Sequence, residues 1–257
     1  MKRYIVFLKQ VPLSTRVGID PVTKTLKRSS VLSQTNPDDL HALQLALDLR
    51  QSTGAEVVAV SMGPLSAETV LREALQLGAD RAVLLSSPAF AGSDTWCTSL
   101  VLASAVRKIG AYDMLFFGRM AIDGDTAQVG PEVAGNLDIP QITHLIRIND
   151  VTDRNVCLSK CAGNVRQDME IAFPCALMIS RENGELASPT LSGWRWAQNQ
   201  EIVRWNEVNL GLDISSVGLH ASPTKVVSTE VPQGTKTIAW IASVPLLSQI
   251  ISNNVNI

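Results

Sequence analysis

The stretch GRMAIDGDTAQVG, at Gly118–Gly130, holds the residue types of this chain that are best suited to chemistry. Asp123, Asp125 and Thr126 stand among glycines just ahead of a helical pattern, so a catalytic acid cluster, a metal loop and a phosphate cradle are all open. We predict that the helix begins at Thr126. A helix N-terminus leaves backbone N–H groups unpaired and carries positive partial charge, and both properties attract phosphate. A capped helix without a ligand fits the same residues equally well.

The side chains of this stretch suit a phosphate site only through the backbone beside them. Gly124 would let the backbone approach a ligand closely, and Thr126 could cap the helix or donate to an oxygen. Asp123 and Asp125 are poor phosphate ligands because of their own charge. We expect them to cap the helix or to accept hydrogen bonds from ribose or backbone groups.

Catalytic motifs are not found in the sequence. His41, His144 and His220 lie in different predicted elements, and the chain has no GxSxG, GxxxxGK[ST], HExxH or GxGxxG pattern. We therefore expect the chemistry to reside in a cofactor, with the chain acting as a binding or redox subunit rather than as a stand-alone enzyme.

Four apolar runs alternate with helical patterns in the first half of the chain. The runs YIVFL, EVVAVSM, RAVLLS and MLFFG are typical of strands that are buried on both faces. Their alternation with helices predicts an α/β fold with a doubly wound, mostly parallel, Rossmann-like sheet. Ligands bind at the carboxyl ends of such strands, where the loop at Gly118–Gly130 would lie. The predicted helices cover residues 37–52, 66–77, 93–109 and 126–137.

Capping residues mark the predicted helix ends. Asn36 precedes Pro37, which is a capping residue followed by a proline at the first helical position. The helix dipole favours acidic residues such as Asp38 and Asp39 in the first turn. The segments GSDTW and GPLSAETV likewise predict Ser or Asp caps, and Gly78 and Gly110 stand where C-terminal caps are expected.

The pattern changes after Pro140, where four short strand-like runs follow one another without helices. Such a run predicts antiparallel strands added to the sheet. The residues from Arg204 onward show little periodicity, so we predict a nucleotide-binding domain at 1–203 and an extended C-terminal arm at 204–257. The arm ends in a short helix near Pro245, and its apolar residues need another surface to pack against. The polar excursion at Pro12–Thr35 is predicted to be a long, functional loop or hairpin.

Composition limits the partners. The 257 residues carry a net charge of −2, which argues against nucleic-acid binding. No apolar run is long enough for a membrane span, and the start of the chain has no cleavage site, which indicates a cytoplasmic protein. The four cysteines, Cys97, Cys157, Cys161 and Cys175, form no CxxC pair, which predicts reduced thiols rather than disulfides or a zinc site.

Several motifs resemble the β subunit of the electron transfer flavoproteins, over nearly the whole chain. The most specific motif is GRMAIDGDTAQVGPE at Gly118–Glu132. It is accompanied by four shorter motifs, NPDD at Asn36–Asp39, AVSMGP at Ala59–Pro64, ALQLGADRAVLLS at Ala74–Ser86 and AFAGSDT at Ala89–Thr95. AFAGSDT and IDGDTAQVGP are closer to the bifurcating and anaerobic branch than to the housekeeping branch, although a usual glutamine is replaced by Met120. The resemblance implies an adenine nucleotide alpha hydrolase-like fold.

The resemblance also implies cofactors and partners. The chain would form a heterodimer with an α subunit, share a redox FAD with it, and hold either AMP or a second FAD in a site of its own. The complex would shuttle electrons between a flavin-dependent dehydrogenase and an acceptor. The C-terminal arm would wrap the α subunit, and Leu191 would dock onto the dehydrogenase. The implied nucleotide contacts are Phe7, Asn36, Pro37, Asp38, Asp39, Met62, Gly118, Arg119, Met120, Ala121, Ile122, Asp123, Gly124, Asp125, Thr126, Ala127, Gln128 and Val129.

Two other functions fit the residues. One is a nucleotide sensor of the universal-stress type, which would bind ATP or AMP without a redox role. The other is a scaffold subunit that has lost its nucleotide. Near Leu191, we expect Trp196 to pack on the sheet of the chain itself.

Overall fold

The computed structural model describes residues 1–13, 32–181, 184–227, 241 and 243–254. The chain divides into two compact units, Met1–Lys225 and Val226–Ile257. In the second unit, the described helix α8 covers Val244–Asn254, where the sequence predicts the final short helix.

A seven-stranded parallel sheet forms the centre of the first unit. The four strands predicted in the first half of the chain are present, and three later segments complete the sheet. The strands in chain order are β1 (Arg3–Phe7), β4 (Glu56–Met62), β5 (Arg81–Leu85), β6 (Met114–Gly118), β7 (Gln141–Ile142), β11 (Cys175–Ile179) and β12 (Ile202–Trp205), and their spatial order is β12-β5-β4-β1-β6-β11-β7.

Helices cover both faces of this sheet, as in a doubly wound fold. Leu43 of α1 (Pro37–Thr53) and Leu71 of α2 (Glu68–Leu77) belong to the apolar cluster on one face. Val101 of α3 (Thr95–Ile109) and Val133 of α4 (Val129–Leu137) belong to the cluster on the other face. Alternate residues of β1 enter the two clusters, which is why its sequence is continuously apolar.

Antiparallel strands form two small sheets separate from the parallel one. They are β8 (Leu145–Val151), β9 (Asn155–Ala162) and β10 (Val165–Ala172) in one sheet, and β2 (Gln10–Pro12) with β3 (Ser33–Thr35) in the other. The expectation that Cys175–Ile179 pairs in antiparallel fashion is wrong, because this strand lies parallel to β6 in the main sheet. The β2–β3 pair closes the base of the predicted excursion, and residues 14–31 of that excursion lie outside the described residues.

The segment after Arg204 continues the first unit. The strand β12 pairs with β5, and Leu210, Leu212 and Val217 pack against the core on the α3–α4 face. This segment includes α6 (Glu207–Leu210) and α7 (Gly218–Ala221). The compact unit therefore extends to Lys225, whereas the sequence places the domain boundary at 203/204.

The predicted caps have mixed outcomes. Asp94 caps α3, since its carboxylate accepts a hydrogen bond from the Cys97 N–H, and Gly78 and Gly110 end α2 and α3 with positive φ. The predicted Ser cap of α2 is wrong, because a 3-10 turn at Leu65–Ala67 precedes that helix.

None of the described helices has both the length and the apolar character that crossing a bilayer requires.

Candidate functional site

The candidate site lies where the order of the parallel strands reverses. The chain leaves β1 for β4 and β5 on one side of the sheet, then crosses to β6 on the other side of β1. In sheets of this kind, ligands bind at the carboxyl ends of the strands beside such a point. Phe7, Met62 and Gly118 are the last residues of β1, β4 and β6. Three of the predicted site residues therefore end three neighbouring strands, and the Phe7 ring stacks on Phe117 at 4.4 Å.

The helix after β6 begins later than the sequence predicts. The helix α4 begins at Val129, not at Thr126, with Gln128 as an N-cap that makes no side-chain capping bond. Asp125 and Ala127 have φ values of 50° and 52°, which an α-helix does not allow. Pro131 explains the late start, because proline is tolerated only in the first turn of a helix. The expectation that Asp123 and Asp125 cap this helix is therefore wrong.

The loop between β6 and α4 presents a run of free backbone donors. Its first part is a turn, in which the Ala121 carbonyl accepts from the Gly124 and Asp125 N–H groups at 3.3 and 2.9 Å. The N–H groups of residues 126–130 have no acceptor within the part of the chain that the structure describes. Successive N–H groups around left-handed residues form concave anion sites. The N–H groups of residues 126–130, at and before the helix start, are therefore the part of this loop that fits the predicted phosphate cradle, which stays a prediction.

Asn36 holds this loop from the neighbouring helix. Its amide nitrogen donates to the Asp39 carboxylate and to the Met120 carbonyl, each at 2.9 Å, and its amide oxygen accepts from the Ile122 N–H at 3.1 Å. Although Asn36 stands at the N-cap position of α1, with Pro37 next to it, its side chain makes no capping bond. The predicted cap is correct in position and wrong in chemistry.

Asp38 and Asp39 are buried rather than solvated in the first turn of α1. The Asp39 carboxylate accepts from the Lys9 N–H at 2.8 Å, and a side chain at Gly118 would lie 2.7 Å from the Asp39 nitrogen. Burial raises the pKa of Asp39 to about 7, and the hydrogen bonds from Asn36 and Lys9 offset this only in part. Glycine at position 118 is therefore required for β6 to pack against the start of α1.

Two basic side chains reach the site. The Lys9 ammonium lies 2.6 Å from the Asp123 carboxylate, whose side chain is only 5% exposed, and the Arg119 guanidinium lies 3.7 Å from Asp38. From the sequence alone, Lys9 could add positive charge near the site, although a lone lysine at a strand end is usually solvated. The signal for its role is its position two residues beyond β1, beside a loop rich in aspartate.

The segment around Leu191 forms the helix α5 (Leu191–Gln198), on the surface of the first unit. Its N-cap is Thr190, whose hydroxyl accepts from the Gly193 N–H at 3.0 Å. The Leu191 side chain is 67% exposed, as a docking residue requires. Trp196 is 41% exposed, so the chain itself covers it only in part, and its packing on the sheet stays a prediction.

Other reactive groups do not gather at one place. Among the described residues, no group of three or more His, Cys, Asp or Glu side chains could hold a metal ion. All four cysteines are free thiols, and burial raises the pKa of Cys97 and Cys175. The buried Asp39 and the free N–H groups of residues 126–130 therefore remain the most distinctive chemical features at the strand ends.

Comparison with known proteins identifies the family. The family described as "Electron transfer flavoprotein domain" matches residues 23–184. The chain is 43% identical to the electron transfer flavoprotein subunit beta of Thermoanaerobacterium thermosaccharolyticum, over 89% of this chain and 87% of that protein. It is 40% identical to the caffeyl-CoA reductase-Etf complex subunit CarD of Acetobacterium woodii, over 90% and 88%.

A third relative is the protein FixA of Azorhizobium caulinodans, which is 42% identical over 89% of this chain and 84% of its own length. These relatives include the anaerobic branch that the motifs indicate, and they give no support to a universal-stress-type sensor. The chain therefore belongs to the electron transfer flavoprotein family, and its role lies in electron transfer.

Proposed function

We propose that this chain is the β subunit of an electron transfer flavoprotein and that it binds an adenine nucleotide at the loop between β6 and α4. The observation that carries the proposal is the run of N–H groups at residues 126–130 without acceptors in the described chain, at the carboxyl edge of a doubly wound sheet. Backbone donors at a helix start bind phosphate without needing a basic side chain. This explains why the site can tolerate Asp125 close to the phosphate.

The residues present fit an adenine nucleotide in other respects. Phe7 and Met62 end neighbouring strands at this edge. Phe7 is buried in the core, so the apolar surface would come from the partly exposed Met62, while the N–H groups of residues 126–130 would supply donors for the phosphate. Recognition sites for such ligands combine a mostly apolar lining with a few polar groups. The site suits AMP and FAD equally in this respect, because both carry an adenosine phosphate.

The redox chemistry would come from FAD, which accepts and donates electrons when it is bound. We propose that an α subunit holds most of that FAD and forms a heterodimer with this chain in the cytoplasm. The arm after Lys225 would wrap the α subunit, and the exposed Leu191 on α5 would dock onto a flavin-dependent dehydrogenase. The N-cap bond from Thr190 fixes the start of α5, so that Leu191 would be presented on a rigid helix.

The test is to co-express the chain with an α subunit from the same organism and to count the nucleotides released on denaturation. We expect one FAD and one AMP per heterodimer for a simple carrier, or two FAD and no AMP for a bifurcating one. A heterodimer with only one FAD and no other nucleotide would contradict the proposed site. A colourless, ATP-binding homodimer would contradict the whole proposal.

A further inference from the structure

The loop between β6 and α4 has two parts, which differ in the hydrogen bonds that they make to the rest of the protein. In residues 119–123, the Arg119 N–H donates to the Ile179 carbonyl at 2.6 Å, Met120 and Ile122 bond to Asn36, and Asp123 pairs with Lys9. In residues 126–130, the backbone N–H groups have no acceptor in the described chain. Residues 119–123 are therefore held in place by bonds to neighbouring elements, and we call these bonds the fastening of the loop. The N–H groups of residues 126–130 have no such partners among the described residues.

The orientation of the Asn36 amide is fixed by its partners. The Met120 carbonyl can only accept, and the Ile122 N–H can only donate, so the nitrogen must face the first and the oxygen the second. The residue is 0% exposed, and both ends of its amide are bonded within the protein. The side chain of Asn36 is thus occupied by the loop, which distinguishes it from a group that waits for a ligand.

Asp123 and Asp39 complete this fastening from two elements. Asp123 brings its buried carboxylate to Lys9, just beyond the end of β1. Asp39 accepts from the Lys9 N–H and from the Asn36 amide, so it joins the end of β1 to the start of α1. Because each bond is buried or partly buried, breaking one leaves a polar group without its partner, which is costly.

We propose that Asn36 and Asp123 are positioning residues, which fix residues 119–123 so that the N–H groups of residues 126–130 are pre-organised for phosphate. The ligand in this inference rests on the proposed function, whereas the fastening of the loop does not. Pre-organised donors bind more tightly because the loop has less freedom to lose on binding. Asp123 therefore promotes phosphate binding through Lys9, despite carrying the same charge as the ligand.

The test uses three variants of the chain in its complex with the α subunit, stripped of nucleotide. Asn36→Ala removes three hydrogen bonds, Asp123→Asn removes the ion pair with Lys9, and Asp138→Asn is the matched control because Asp138 is an exposed aspartate with positive φ at the opposite end of α4. Hydrogen exchange of the peptide covering residues 119–125 is measured without ligand. Binding of AMP and of FAD is then measured by equilibrium dialysis.

We expect Asn36→Ala and Asp123→Asn to speed the exchange of this peptide and to weaken AMP or FAD binding by about tenfold or more, as loss of a buried charged partner does. The Asp138→Asn control should match the wild type both in the exchange of this peptide and in binding. Tighter binding by Asp123→Asn with unchanged exchange would overturn the proposal, because simple charge repulsion predicts that result. If Asn36→Ala does not fold, Asp123→Asn decides alone.

The two proposals fail in different ways. If the wild-type complex binds neither AMP nor FAD at this site, the proposed function is wrong, and hydrogen exchange still shows whether the fastening exists. If the wild type binds and exchange does not respond to either variant, the proposed function stands and the positioning role is wrong.

Discussion

Two helices of this protein, α3 and α4, begin at the same edge of the sheet, and they differ in the bonding of the backbone N–H groups at their starts. At α3, a side chain of the protein accepts from such a group, and we call this the closed start. At α4, the N–H groups have no acceptor among the described residues, and we call this the open start. At the start of α3, the Asp94 carboxylate accepts from the Cys97 N–H at 3.0 Å, and it also accepts from the N–H and hydroxyl of Thr224 at 2.9 Å. At the start of α4, Gln128 makes no side-chain capping bond, and the N–H groups before it have no described acceptor. The protein covers the start of α3 with its own chain, whereas the described residues supply no acceptor for the N–H groups at the start of α4.

The difference shows that an Asp-Thr pair can serve two purposes. Asp94-Thr95 lies directly at the start of α3, whereas Asp125-Thr126 lies ahead of α4. Pro131 accounts for the contrast, because proline is tolerated in the first turn of a helix, and a helix that began at Thr126 would place Pro131 in its second turn. A capping motif is therefore informative only when no proline follows it in what would be the second turn of the helix.

The largest expected effect on the free energy of unfolding comes from Gly118 and Gly218, the glycines that pack beside the open start and the closed start. Gly118 packs against Asp39 beneath the open loop, and Gly218, with a φ of 74°, packs against the Ala89 carbonyl beside the closed one. We expect Gly118→Ala and Gly218→Ala each to lower the free energy of unfolding in urea by about 3 kcal/mol or more, through overpacking and backbone strain. Only Gly118→Ala should also weaken nucleotide binding beyond the loss of folded protein.

A control for this prediction is Gly124→Ala, because a side chain there meets only the Lys9 ammonium, at 3.9 Å. Its free energy of unfolding should stay within about 0.5 kcal/mol of the wild type. If Gly118→Ala also changes the free energy of unfolding by less than about 0.5 kcal/mol, the close packing of β6 on α1 is not what fixes the open start.

The second effect concerns pH, because the pKa of Asp39, which packs beneath the loop before α4, and the pKa of Asp94, which caps α3, are shifted in opposite directions. Burial raises the pKa of Asp39, which faces Lys9 and Asp38, to about 7 from its usual 3.8. A raised pKa means that the folded protein holds a proton that the unfolded chain has released. Stability should therefore fall as the pH rises from about 4 to 7, by on the order of 2 kcal/mol between pH 5 and pH 7.

The measurement is the free energy of unfolding of the wild type and of Asp39→Asn at pH 5 and pH 7. The variant cannot titrate at this position, so it should lose this component of the pH dependence, although it also loses one acceptor for the Lys9 N–H. A variant with the same pH dependence as the wild type would show that Asp39 is ionised throughout.

The third effect follows from removal of the Asp94 side chain, which caps α3 at the closed start. Burial acts to raise the pKa of Asp94, but the hydrogen bonds from Cys97, Thr224 and Ser222 together lower it, which shows that the carboxylate is well satisfied. Asp94→Ala should lower the free energy of unfolding by about 1–2 kcal/mol, the usual cost of losing an N-cap. Nucleotide binding should not change. A loss of binding in this variant would mean that the two starts are coupled.

The smallest effect is expected at Asp125, which is exposed beside the open start. Asp125→Asn should leave the free energy of unfolding within about 0.5 kcal/mol, because asparagine also tolerates a positive φ. Removing one negative charge near a phosphate should tighten AMP binding by about two- to fivefold at low salt, and less at high salt. Dialysis at two salt concentrations measures this. An equal gain at both would contradict an electrostatic cause.

Most of the central sheet could be predicted from the sequence, because strands such as β1 and β6 are continuously apolar and lie between helices. The sequence also marks the loop at Gly118–Gly130 as a candidate phosphate cradle, which stays a prediction, and it places the start of the following helix three residues too early. Pro131 was visible in the sequence and could have placed that start. The roles of Asn36 and Lys9 could not be predicted, since both depend on contacts between residues far apart in the chain.

The order of the strands determines when the sheet can be completed during synthesis. The strand β7 is made before β11, yet it contacts the sheet only through β11, which lies between it and β6. The other edge, at β5, is covered only when β12 emerges from the ribosome. An uncovered strand edge can pair with another chain. The nascent protein therefore depends on two of its latest strands, Cys175–Ile179 and Ile202–Trp205, for protection from aggregation.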